Sequence, residues 1–176
     1  MAIDRDALDR KLAAPAIRAS LQRAGIFLTG WELLKDDIED RVRSFFELKP
    51  GTVDPRYETD VLSRDKHRLQ ASVLWLVEQG ALTPSQGECV QAIREHRNEI
   101  AHGLARLLVD PNHEINTKLL EEMAVIIQAV GAFFGRIAID CDPEFDRRDV
   151  VEDKDIRSGP SMLMDHLIAA CDAIRV

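Results

Sequence analysis

Aromatic side chains are scarce in this sequence: six Phe, two Trp and one Tyr make up 5% of its 176 residues. Ala, Leu, Ile, Glu and Arg are plentiful instead, and that balance favours helix over sheet. Cysteine is equally sparse. Cys89, Cys141 and Cys171 are odd in number, widely spaced and free of any C-x-x-C pair, which excludes a disulfide framework and a thiolate zinc site. A reducing, cytoplasmic setting is the expectation. No Gly-rich phosphate loop and no alternating strand pattern is found. The opening residues, MAIDRDALDRKL, are charged, and no run approaches about 18 uninterrupted apolar residues, so neither a signal peptide nor a membrane span is expected. Positive charge is in deficit too. A formal net charge of -8 argues against broad attachment to nucleic acid or anionic lipid, leaving room only for a local basic site.

What the sequence does have is helical periodicity. Phe27, Trp31, Leu34, Ile38, Val42 and Phe45 fall at intervals of three and four, placing them on one stripe of a long helix from about Pro15 to Leu48. The stretch KPGTVDPRYETD (49–60) reads as a loop. A second helix is predicted from about Ser63 to Gln79, with Leu69, Val73, Leu76 and Val77 inward and Gly80 as its stop. Thr83, Pro84, Ser85 and Gln86 form a capping-box pattern with proline at the first helical position, so a third helix opens there and runs to about Val109. A fourth spans about Glu114 to Ile139, burying Ile115, Leu119, Met123, Ile126, Ile127, Val130 and Phe134. A last short helix, about Pro160 to Ile174, presents Leu163, Leu167, Ala170, Cys171 and Ile174.

The expected architecture is an all-α antiparallel bundle of four to five helices over residues 1–139, an acidic connector at 140–158, and a C-terminal helix at 159–176 that packs on the bundle or on a second protomer. Residues 139–157 carry eight acids and four bases, half of the net charge, and read as a solvated connector.

The third helix carries the chemistry. Val90, Ile93, Ile100, Ala101, Leu104, Leu107 and Leu108 form its apolar arc, and Arg97 falls near the middle of it. A guanidinium there needs a carboxylate, a ligand phosphate or a hydrated interface, because it cannot shed its proton. Within the chain, Asp37 beside the first helix's stripe is the candidate partner. Asn98 and His102 are four apart and share a face, whereas Arg97 and His102 are about 140° apart on an ideal helix. Either the helix distorts near Gly103, or the two groups meet across a symmetry axis with a second copy. Glu95 and Glu99 would repel a phosphodiester unless they point away or pair with Arg94 and Arg106. Glu95, Glu99 and His102 also form one Glu-x-x-His unit of the kind used in di-iron bundles, but such a site needs a second unit. His67, His96, His113 and His166 are isolated and expected to be solvated.

RNEIAHG, Arg97 to Gly103, resembles the signature of the HEPN family of small helical domains: an arginine, often followed by a polar residue, and a histidine four to six residues on. The resemblance covers the predicted bundle, about residues 15 to 139, but only these seven residues carry it specifically. An aromatic residue that many members have after the histidine is missing here. The resemblance implies metal-independent RNA cleavage at a groove between two protomers, without a cofactor, by Arg97, Asn98 and His102. Arg94 and Arg106 would contact substrate, in a defence or toxin setting with a nucleotidyltransferase-type or antitoxin partner. The alternative it admits is a noncatalytic binding or regulatory module, which many relatives are.

Overall fold

Six α-helices organise residues 5–145 and 150–174, the part of the chain that the computed structural model describes. They are α1 (Arg5–Leu12), α2 (Ala14–Phe45), α3 (Arg68–Glu78), α4 (Pro84–Val109), α5 (Lys118–Cys141) and α6 (Gly159–Asp172). The all-α bundle read from the sequence is what forms. At 32 residues α2 is the axis of the fold, in contact with each of the other five. Its predicted stripe is inward, with Phe27, Leu34, Ile38 and Val42 fully buried and Trp31 nearly so. Phe45, the last member, is 48% exposed because the helix ends there.

Several boundaries differ from the sequence reading, each for a local reason. Helix α1 adds an element at the N-terminus; it buries no residue completely, so it has no apolar stripe to betray it. The end of the predicted first helix and the start of the predicted loop hold an antiparallel ribbon, β1 (Glu47–Lys49) with β2 (Thr52–Val53), turned by Gly51 at φ 78°. Beyond it, a π-helical turn at Tyr57–Val61 and a 3-10 turn at Leu62–Arg64 delay the start of α3 by five residues. Gly80, at φ 75°, stops α3 as expected from its freedom to adopt positive φ. Turns around Asp110 and Asn116 likewise delay α5. The scarce aromatics are concentrated: Phe45, Phe46, Tyr57, Trp75, Phe133 and Phe134 form one chain of ring contacts linking the end of α2 to α3 and α5.

Helix α5 buries Met123, Ile126, Ile127 and Val130, as predicted, and also Leu120, while Ile115, Leu119 and Phe134 are only partly buried. By length and composition alone α5 could cross a membrane, a point the count of uninterrupted apolar residues overlooked; here one face of it packs on α2 and α6. Helix α6 is rotated from its expected phase. Cys171 is buried and Leu167 partly buried as expected, but Met164 is buried in place of Leu163, and Leu163 and Ala170 are exposed. Its start carries a second capping box, Ser158 with Ser161, which the glutamate-based pattern does not detect. The described part of the acidic connector is not simply solvated, because Gln128 Nε2 donates to the Ile156 carbonyl and Arg136 bonds Asp153, tying it to α5.

The capping box at Thr83 is realised in full: its hydroxyl accepts from Gln86 N–H and Gln86 Oε1 accepts from Thr83 N–H. Thr83→Ala is expected to lower stability by about 1 kcal/mol, since two donors at the head of α4 lose their partner geometry. Urea unfolding that leaves the midpoint unchanged would show that the cap contributes nothing.

Candidate functional site

Helix α4 presents its motif as a surface strip rather than a buried pair. Asn98 and His102 are exposed, and the Arg97 side chain keeps 31% of its surface. Ile93, Ile100 and Leu107 are buried as expected. Ala101 and Leu104, placed inward by the helical wheel, are exposed instead, so the apolar arc is narrower than the sequence implied.

The carboxylate that answers Arg97 is Glu32 of α2, not Asp37. Arg97 Nη2 lies 3.1 Å from Glu32 Oε1, and Nη1 donates to Asn98 Oδ1 at 3.3 Å. Asp37 is occupied by Arg41 of its own helix at 2.6 Å. Glu32 also meets Lys35 at 3.3 Å. Arg97 Nε is buried without a hydrogen-bond partner, so the guanidinium retains donor capacity. His102 has no hydrogen bond or ion pair among the described residues, and its neighbours one helical turn away are Asn98, Glu99, Ala105 and Arg106, all exposed.

The expected distortion of α4 is present at Gly103, whose φ of -113° and ψ of 18° leave the helical region. It follows the motif instead of interrupting it. Residues 97–102 keep helical geometry, so the angular separation of Arg97 and His102 persists within one chain. No atom of the fold would crowd a Cβ at Gly103, so close packing does not impose the bend.

The remaining candidates disperse. Arg94 lines a groove of about 570 Å³ between α3 and α4 with Val73, Leu74 and Val77. Arg106 pairs with Asp110 at 3.3 Å near the end of α4. The Asn112 backbone N–H, more than Arg106, holds Asp110 below the usual carboxylate range. Glu95 and Glu99 pair with neither arginine: Glu95 accepts from Gln91 Nε2 at 2.9 Å and Glu99 meets His96 Nδ1 at 3.2 Å. Among the described residues, no three His, Cys, Asp or Glu side chains are grouped as a metal would require.

His96, expected to be solvated, is instead a structural joint with 13% of its side chain exposed. Its Nε2 accepts from the Asn116 backbone N–H at 2.9 Å, which leaves Nδ1 as the protonated nitrogen facing Glu99. Its ring meets Phe27 edge-on at 5.1 Å. The histidine thus pins the α4–α5 loop beside the motif, through long-range contacts that helical periodicity does not encode.

Asp37 of α2, unlike Glu32 and Arg97, is a buried charge. Its side chain is 4% exposed and Oδ2 has no partner. Burial raises its pKa above 3.8, against the opposing pull of Arg41. The protonated form is therefore favoured on folding, and its contribution to stability is present below pH 3.8 and lost as pH rises through the folded value. Asp37→Asn is expected to flatten that loss and to be at least as stable as the parent at pH 7. Thermal unfolding across pH that shows Asn less stable at pH 7 would refute this account.

Comparison with protein-family models, with curated proteins and with solved structures finds no match to this chain.

Proposed function

We propose that this protein is a HEPN-like endoribonuclease acting as a homodimer, with Arg97 of one copy and His102 of the other completing each site. The observation that carries the reading is the surface strip on α4. An exposed, unpartnered His102 and a half-exposed arginine sit among the exposed apolar residues Ala101 and Leu104, where a second copy of the same helix can supply what one straight helix cannot.

In such a site imidazole, whose ordinary pKa lies near neutrality, takes the proton of a ribose 2′-hydroxyl. The 2′-oxygen attacks the adjacent phosphorus, the P–O5′ bond breaks, and the departing 5′-oxygen takes up the proton that the imidazolium gives back. The products are a 2′,3′-cyclic phosphate and a 5′-hydroxyl end. Arg97 stabilises the added negative charge on the pentacoordinate phosphorus, and Asn98 orients the phosphate or the guanidinium. No metal enters the balance.

Glu32 favours a second reading, a noncatalytic binding or regulatory module, because Arg97 already has a carboxylate. That pair is no bar to the first reading: it is partly exposed and worth about 0 to 1 kcal/mol, so a phosphate making the same kind of charge-assisted bond can compete with Glu32. The test is incubation of pure protein with structured RNA in EDTA and analysis of the ends. Cyclic phosphate ends identify the enzyme, and intact RNA at high protein concentration identifies the module. Glu32→Gln is expected to tighten RNA binding severalfold by releasing Arg97, and unchanged or weaker binding would remove Arg97 from the RNA surface.

A further inference from the structure

A cleft unrelated to the motif opens between α1, the first third of α2 and the loop joining α4 to α5. Two adjoining lobes of about 280 and 340 Å³ share Lys11, Ser20, Arg23 and Glu114. Arg10 lines the outer lobe and Thr117 the inner one. Lys11 and Arg23 are held in place by backbone carbonyls, not by carboxylates: Lys11 Nζ donates to His113 O at 3.0 Å and Arg23 Nη2 to Ile174 O at 3.2 Å. Among the described residues, neither cation has a carboxylate within ion-pairing distance. Neither charge is neutralised by a direct ion pair, although Glu114 lines both lobes, and each cation uses one donor of the three or five it carries. Both side chains belong to half-buried residues, where charges are less screened than on an open surface.

We propose that this cleft binds a small phosphorylated ligand, with the phosphoryl group between Lys11, Arg23 and the Ser20 hydroxyl. Its lobes are of the order of the roughly 300 Å³ at which ligand pockets begin, suited to one nucleotide and too small for a folded segment. Glu114, exposed at the edge, opposes the anion and thereby gives the proposal a sign test. The phosphate can come from a free mononucleotide or from the 5′ end of an RNA.

Titration calorimetry of the full chain with inorganic phosphate, adenosine 5′-monophosphate, adenosine, and one oligonucleotide with and without a 5′-phosphate tests it. Phosphate and the monophosphate are expected to bind and adenosine is not; preference for the monophosphate or for the phosphorylated oligonucleotide identifies the source. Lys11→Gln and Arg23→Gln are expected to raise Kd about tenfold or more, Arg10→Gln to raise it less, and Glu114→Gln to lower it. The exposed side chains of Arg10 and Glu114 make no hydrogen bond or ion pair among the described residues, so these two variants keep the test alive if the inner pair misfolds. Absence of saturable binding by every phosphorylated probe, or affinities indifferent to all four substitutions, overturns the proposal.

Discussion

His102→Ala is expected to reduce RNA cleavage by about 10²- to 10⁴-fold, the usual contribution of a positioned general acid or base, with an unchanged melting temperature. The second half of the expectation follows from the geometry. His102 is exposed and makes no hydrogen bond among the described residues, so removing its ring strands no partner and opens no cavity. A comparable loss of cleavage accompanied by a large fall in melting temperature would place the effect in the fold instead of the chemistry. Neighbouring His96 is the informative contrast: it carries the Asn116 bond and the Phe27 contact, so its substitution is expected to cost stability as well as activity.

Phe27→Ala carries the largest expected effect on stability. The ring is fully buried in α2 and packs edge-on against His96. Truncation of a buried phenylalanine costs about 3–5 kcal/mol, a large share of the roughly 5–15 kcal/mol that holds a domain of this kind together. For a chain of this length that corresponds to a fall of roughly 6 to 20 °C in melting temperature. Leu21→Ala, at a position 43% exposed on the same helix, is the matched control and is expected to change stability by less than about 0.5 kcal/mol. Equal losses at the two positions would mean that α2 is not the axis of the core. Because Phe27 also backs the histidine that pins the α4–α5 loop, the variant is expected to loosen that loop, read as faster amide exchange at Asn116.

The difference between what the sequence disclosed and what it concealed is physical. Periodicity found α2 and α5 because one face of each is packed over many turns, and the Thr83 box found the head of α4 because capping is chemically local. Helix α1 escaped because it is charged and buries nothing completely, and the ribbon at Glu47–Val53 because two and three residues are too short to alternate. In the site, Arg97 was rightly singled out as a cation needing a partner, but its partner lies 65 residues away on another helix. Asp37 is not that partner because its Oδ1 is taken locally by Arg41 at i,i+4, while its Oδ2 is buried without any partner. The same limit hid the joint at His96 and the basic cleft, where Lys11, Arg23 and Glu114 are brought together only by packing. A distortion near Gly103 is one of the two ways in which the pair could meet, but the bend follows His102 and so leaves Arg97 and His102 on separate faces.

That separation makes subunit complementation the most direct test of a composite site. Arg97→Ala and His102→Ala proteins, each inactive alone, are mixed, allowed to exchange subunits, and assayed on RNA in EDTA. If each site takes its arginine from one copy and its histidine from the other, a mixed dimer retains one intact site of two, and random exchange restores about a quarter of the parent activity. A mixture that stays as inactive as its components contradicts the composite site.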